Sequence, residues 1–180
     1  MQSQATTTNR QAVTVPADLE AEMDEMISHY PVSKRSASLP LLHLWQNHFG
    51  YIDDGGVEWI ARKLELQPIN ILELVTFYPW FRQQAAGKTV IRVCRTLSCA
   101  MAGSEDLKNS FCKALKIPTD HAGNGDHGAP EEVSPDGEYS VEFVECLASC
   151  GSAPVCLIND DLHENVSETA IPEILSQYKK

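Results

Sequence analysis

Two pairs of cysteines define the chemistry open to this sequence. Cys94-Arg-Thr-Leu-Ser-Cys99 is a C-x4-C segment, and Cys146-Leu-Ala-Ser-Cys150 is a C-x3-C segment, with 46 residues between them. Four thiolates brought to one point suit a tetrahedral zinc ion or an iron–sulfur cluster. Structural zinc sites often use a two-residue gap, whose tight turn aims both sulfurs at one ion. Gaps of four and three residues suit a wider object with two metal atoms, each taking two sulfurs, and a [2Fe–2S] cluster is such an object. The small residues Ser98, Ala100, Ala148, Ser149 and Gly151 would let backbone N–H groups approach it and stabilise its negative charge. Spacing thus favours iron–sulfur, with zinc and unligated or disulfide-bonded cysteines as the alternatives. No C-x-x-C segment occurs, which speaks against a reactive dithiol pair. Cys112, on the flank of an apolar helix stripe, and Cys156, inside an apolar run, read as small core residues.

The elements that must position these cysteines follow from periodicity. Thr89, Val90, Ile91 and Val93 make residues 88–94 a strand ending at Cys94, and Ser140 to Glu145 alternate polar and apolar as a second strand just before Cys146. Cys99 and Cys150 then fall in the loops that follow. If the two strands are neighbours, both pairs meet at one end of a sheet. Ser104 is placed to cap a helix whose stripe is Leu107, Phe111, Ala114 and Leu115. Residues 154–158 read as a further strand, Leu162 to Val166 as a short hairpin partner, and Ser167 onward as a last helix with Pro172 near its first turn.

Upstream the texture is helical. Apolar residues at helical spacing, with Pro and Gly punctuation, predict four helices: from Pro16 to Tyr30, from Ser38 to Phe49, from Val57 to Leu64 after an Asp53–Gly56 turn, and from Pro68 to Phe77. His43 and His48 read as packed or surface residues there. The expected organisation is a disordered tail over 1–15, an N-terminal four-helix bundle over 16–86, and an α/β (α+β) domain over 87–180, with residues 119–138 as a long exposed loop. Gly123 to Gly128 fit G-x-G-x-x-G by letter. They follow a loop and not a strand, so a dinucleotide site is not expected.

Composition narrows the function classes. The 180 residues carry a formal net charge of −11, which repels phosphate backbones and argues against nucleic-acid binding. No apolar run approaches the roughly 20 residues that span a bilayer. The first fifteen residues lack the apolar core of a secretory signal, so a reducing compartment is expected, where clustered cysteines bind metal or do chemistry.

At these residues the sequence resembles a known family. C-x4-C, then C-x3-C within Val144-Glu-Cys-Leu-Ala-Ser-Cys-Gly-Ser-Ala-Pro154-Val, then Ile158-Asn-Asp160, resembles the thioredoxin-like [2Fe–2S] subunit of NADH:quinone oxidoreductase, the 24 kDa-type or bacterial E-type subunit of respiratory complex I. Gly87 to Cys94 and Val75-Thr-Phe-Tyr78 also match, and the resemblance covers roughly residues 16–180. It implies a helical bundle followed by a thioredoxin-like ferredoxin domain, with Cys94, Cys99, Cys146 and Cys150 as ligands of a [2Fe–2S] cluster. It implies a flavin-bearing, NADH-oxidising partner that holds the FMN and NADH, and a large iron–sulfur subunit beside it. The cluster would accept an electron from reduced FMN, off the main route to quinone. The chain would be part of an enzyme without a complete active site of its own. It would be cytoplasmic, or on the matrix side in a mitochondrion, and peripheral to the inner membrane through the complex. The same module serves NAD-linked hydrogenases and formate dehydrogenases. A zinc-stabilised interaction domain is the alternative from another class. Ala148 stands where the family usually has Gly, and Pro154 where thioredoxin-like folds often carry a cis proline.

Overall fold

The computed structural model describes residues 13–118 and 132–179. The tail up to residue 12 and the loop segment 119–131, with its G-x-G-x-x-G letters, His121 and His127, lie outside the described residues. The chain divides into two compact units, Met1–Gln83 and Gln84–Lys180.

The first unit carries four α-helices: α1 (Ala17–Ser28), α2 (Ser38–Phe49), α3 (Asp54–Lys63) and α4 (Pro68–Phe77). Each apolar stripe turns inward, and Met23, Leu41, Leu42, Trp45, Ile60, Ile71 and Phe81 form the core. Chain punctuation acts as its chemistry dictates. Gly50 ends α2 at φ 84°, a left-handed conformation that L side chains avoid. Pro68 stands in the first turn of α4, where its missing N–H costs nothing. The Asp53–Gly56 segment is not a free turn: Asp53 caps α3, its Oδ1 accepting from the Gly56 N–H at 2.8 Å. His43 packs against Phe81 with the rings tilted, and His48 meets Phe49 edge to face.

The second unit is a five-stranded sheet with helices. Its strands are β1 (Thr89–Cys94), β2 (Glu132–Val133), β3 (Tyr139–Val144), β4 (Cys156–Ile158) and β5 (Asp161–His163), in the order β2-β3-β1-β4-β5. β1 and β3 run parallel, with Cys94 opposite Val144, and the other pairs are antiparallel. β1 is central and buried along its whole length, which accounts for its β-branched run. Ile91 and Val93 meet Leu107, Phe111 and Cys112 of α6 (Ser104–Ala114) and Ile174 of α7 (Ile171–Gln177) in one core. Cys156 is part of that core, so both extra cysteines pack as expected. On β1, Arg92 pairs with Glu142 of β3 at 2.8 Å, in register and with both side chains largely buried.

Three local expectations change. Ser104 does not cap α6. It is its buried first residue, and Gly103 is the cap at φ 91°. A short helix, α5 (Leu97–Met101), lies within what read as a loop, closed by the Ala100 N–H on the Thr96 carbonyl at 2.9 Å. The segment expected to be all loop holds β2, which pairs with β3 beside the Ser134–Gly137 turn.

Candidate functional site

The parallel register decides where the cysteines go. β1 ends at Cys94 and β3 at Val144, directly opposite, so the segments carrying Cys99 and Cys146 leave the same end of the sheet. The two pairs are held differently. Cys94 and Cys99 are buried, 2% and 1% exposed, and pack with Val155, Leu147 and Ala153. Cys146 and Cys150 are exposed, Cys150 opening a single 3-10 turn through Ser152. None of the cysteines is in a disulfide.

Donors gather at the sulfurs. The Thr96 hydroxyl lies 3.3 Å from Cys94 Sγ. The Ala148 N–H donates to Cys146 Sγ at 3.3 Å. Burial by itself would push the Cys94 thiol up. Hydrogen bonds from the Thr96 side chain and from the Leu147 and Thr96 backbones, with a smaller one from Cys99, outweigh burial and hold it below its ordinary value. Cys99 goes the other way. Burial raises it, a Val155 backbone N–H partly offsets this, and the proximity of Cys94 and Cys150 raises it further. Of the two, Cys94 is therefore the readier to give up its proton.

The structure thus brings Cys94 and Cys99 together and places Cys150 within electrostatic reach of Cys99. Cys146 lies two residues beyond the end of β3. Among the described residues, no three His, Cys, Asp or Glu side chains converge at metal-holding distance. The donor set fits an iron–sulfur group: four cysteines outside any disulfide, with backbone N–H groups at three of the sulfurs, match an object that carries negative charge on sulfur.

Sequence reasoning missed the supports of this site. Thr96 stood in plain view inside the C-x4-C segment, where a hydroxyl two residues from a thiolate is a usable signal. The N–H groups of Leu147 and Val155 have no sequence signature at all. Glu164 is tied to the Cys150 turn by Ser149 and Ser152, 15 and 12 residues away, and no local pattern points to it. The Ala153–Pro154 bond is cis, and Ala148 sits at φ 60°.

Comparison with known proteins agrees with the chemistry. The thioredoxin-like [2Fe-2S] ferredoxin family matches residues 23–179. The E-type subunit of the NADH-quinone oxidoreductase of Aquifex aeolicus is 37% identical over 164 residues, covering 91% of this chain and 94% of that protein. The second subunit of the NADH-quinone oxidoreductase of Thermus thermophilus is 36% identical, covering 80% of this chain and 74% of its own. Among solved structures, an NAD+-reducing [NiFe]-hydrogenase in its air-oxidized state aligns with a TM-score of 0.61 at 20% identity, a likeness of fold. It covers 79% of this chain and 22% of the hydrogenase chain. A mixed helix-and-sheet chain whose two cysteine segments leave one end of its sheet, matched from Met23 almost to its end, belongs to the thioredoxin-like [2Fe-2S] ferredoxin family.

Proposed function

We propose that this chain is the electron-transfer subunit of an NADH:quinone oxidoreductase, with Cys94, Cys99, Cys146 and Cys150 holding its [2Fe–2S] cluster. It receives an electron from the reduced FMN of a partner NADH-oxidising subunit, and a large iron–sulfur subunit lies beside it. When bound, the cluster supplies a centre that takes up and gives back one electron at a time without making or breaking bonds to substrate. The observation that carries the reading is the register of β1 against β3, which sends both cysteine segments out of one sheet end. The host complex is supported by relatives named as subunits of that enzyme along nearly their whole length.

The chain's own residues have distinct tasks. Cys94 and Cys99, closed in by Val155, Leu147 and Ala153, keep water from one side of the site. Thr96 and the backbone N–H groups of Leu147 and Val155 balance negative charge on sulfur. Cys146 and Cys150 form the exposed side, the one open to a partner.

In this reading residues 16–86 are a four-helix bundle domain and 87–180 the thioredoxin-like domain, supported by four helices in the unit Met1–Gln83 and the sheet in Gln84–Lys180. Among the described residues no helix is long and apolar enough to cross a membrane. The chain reaches the inner membrane through the assembled complex.

Iron and sulfide analysis with low-temperature EPR tests the reading, on anaerobically purified protein reduced with dithionite. Two irons and two sulfides per chain with a rhombic signal, in protein that co-purifies with a flavoprotein, are expected. One zinc, no colour and no signal would overturn it.

A further inference from the structure

We propose that Glu164 is a positioning residue for Cys150, a role that rests on Cys150 being a cluster ligand. Cys150 lies in a turn between Ser149 and Ser152, and both serine hydroxyls donate to the same oxygen of Glu164, Oε1. Those hydroxyls also lie 2.8 Å from each other, and Ser152 Oγ is 3.2 Å from the Ser149 carbonyl. Each hydroxyl has one proton to give. A carboxylate has none and offers several lone pairs, so it is the natural end point for both. Remove it, and the two hydroxyls turn to each other, to one carbonyl or to solvent, with nothing from the 164 segment to hold them.

The backbone brings Glu164 there independently of its side chain. The Asn165 N–H donates to the Ser152 carbonyl at 2.7 Å, and the Val166 N–H to the Pro154 carbonyl at 3.0 Å. The segment after β5 therefore runs along the segment after Cys150. The carboxylate ties that segment to the 3-10 turn that opens at Cys150. Hydrogen bonds from Ser149 and Ser152 also hold the Glu164 carboxyl below its ordinary range, so it is ionised and acceptor-only at neutral pH. The first cysteine pair needs no such staple, because burial and the end of β1 fix it.

The test uses the full chain with its cluster. Cluster loss to excess EDTA is followed by visible absorption, and the reduced protein is characterised by EPR g-values and midpoint potential. Glu164→Ala is expected to release the cluster about tenfold faster, with shifted g-values, as loss of an outer support of a metal ligand typically does. Glu164→Gln keeps an oxygen that accepts both hydroxyls, and is expected to stay within about twofold of wild type. The double variant S149A/S152A should behave like Glu164→Ala, and adding Glu164→Ala to it should cost little more. It also carries the test if Glu164→Ala does not fold. Wild-type release rate and g-values in Glu164→Ala, or equal damage from Glu164→Gln and Glu164→Ala, would overturn the positioning role. Cys150→Ala separates the two readings. If it loses the cluster while Glu164→Ala changes nothing, only the Glu164 role fails. If it keeps the cluster with an unaltered spectrum, the ligand assignment fails first and takes the Glu164 role with it.

Discussion

The two cysteine loops lie at the same end of one sheet and are built on opposite principles. Cys94 is the last residue of the central strand and Cys99 sits on a short helix, both buried, with hydroxyl and N–H donors at their sulfurs. Cys146 and Cys150 are exposed, on a segment that includes an alanine at φ 60° and is tied down through Ser149, Ser152 and Glu164. The first pair is set by the fold. The second depends on local stays that a single side chain can remove. With the four cysteines as the proposed ligands, one preformed wall would shield the cluster and the exposed wall would leave a short path to a partner, an arrangement that suits electron transfer.

The strongest way to break this comparison is to remove proposed ligands from each side. Replacing any of Cys94, Cys99, Cys146 or Cys150 with Ala is expected to abolish the cluster, read as iron and sulfide per chain. The pairs should separate in cluster-free protein. Cys99→Ala empties a buried position and should cost about 1–2 kcal/mol in urea unfolding, while Cys146→Ala should stay within about 0.5 kcal/mol. Cys112→Ser should lower stability and keep the cluster, because Cys112 is wholly buried in the sheet–helix core. A cluster-free Cys112→Ser chain that remains folded would mean that the ligand set is wrong.

A second variant attacks what the loops share. A Cβ on Gly87 would meet the Tyr139 backbone carbonyl carbon at 2.3 Å, and backbone cannot step aside as a flexible side chain can. Gly87→Ala should force the start of β1 away from β3 and cost about 2–3 kcal/mol, measured by urea unfolding. Because β3 leads into the exposed pair, cluster content should fall as well. Unchanged stability and cluster content would show that the chain takes up the methyl group without parting β1 from β3.

How much of this was legible in the sequence depends on where each signal lives. The four helices were readable because their stripes run ten to twelve residues, enough for a 3.6-residue period to declare itself. β1 and β3 were readable from β-branching and alternation, and the departure of both cysteine segments from one sheet end follows from their being neighbours. α5 was not, since five residues hold little more than one turn and Leu-Ser-Cys-Ala-Met has no stripe. β2 was hidden because two residues show no period. The order β2-β3-β1-β4-β5 is a matter of long-range pairing, which local propensity does not encode. The supports of the site divide the same way: side chains next to a cysteine leave a trace in sequence, while backbone N–H groups and the distant Glu164 leave none.

Alkaline pH sharpens the contrast between a buried cysteine with donors and one without. Cys94 is held below its ordinary value, whereas Cys156, buried on β4 opposite Val93, is pushed up to about 12 by desolvation. The unfolded Cys156 thiol loses its proton near pH 8.5–9, so above that range the unfolded state gains and the folded state does not. The stability linked to Cys156 is fully present below about pH 9 and is lost as pH rises toward 12, at up to about 1.4 kcal/mol per pH unit. Tyr178, raised to about 12 by burial and then by its hydrogen bond to Asp161, adds a loss of the same sign above its unfolded value. Urea unfolding at pH 9 and pH 10 should show a drop of about 1 kcal/mol, much of it absent in Cys156→Ala. Equal slopes in both proteins would remove Cys156 as the cause.

The smallest effect tests the exposed loop alone. Ala148 holds φ 60°, a conformation in which an L residue's Cβ crowds the following carbonyl oxygen at a cost of about 1–2 kcal/mol. In that conformation the Ala148 N–H donates to Cys146 Sγ. Ala148→Gly removes the crowding but adds backbone freedom to the unfolded chain, worth about 0.5–1 kcal/mol against it. The balance is a gain of about 0.5 kcal/mol, read in urea unfolding, with the N–H to sulfur bond intact and the EPR g-values unchanged. A loss of stability would mean that the methyl group packs usefully in the folded loop. A shift in g-values without a change in stability would mean that Ala148 shapes the ligand geometry itself, and the exposed wall would then be as strictly built as the buried one.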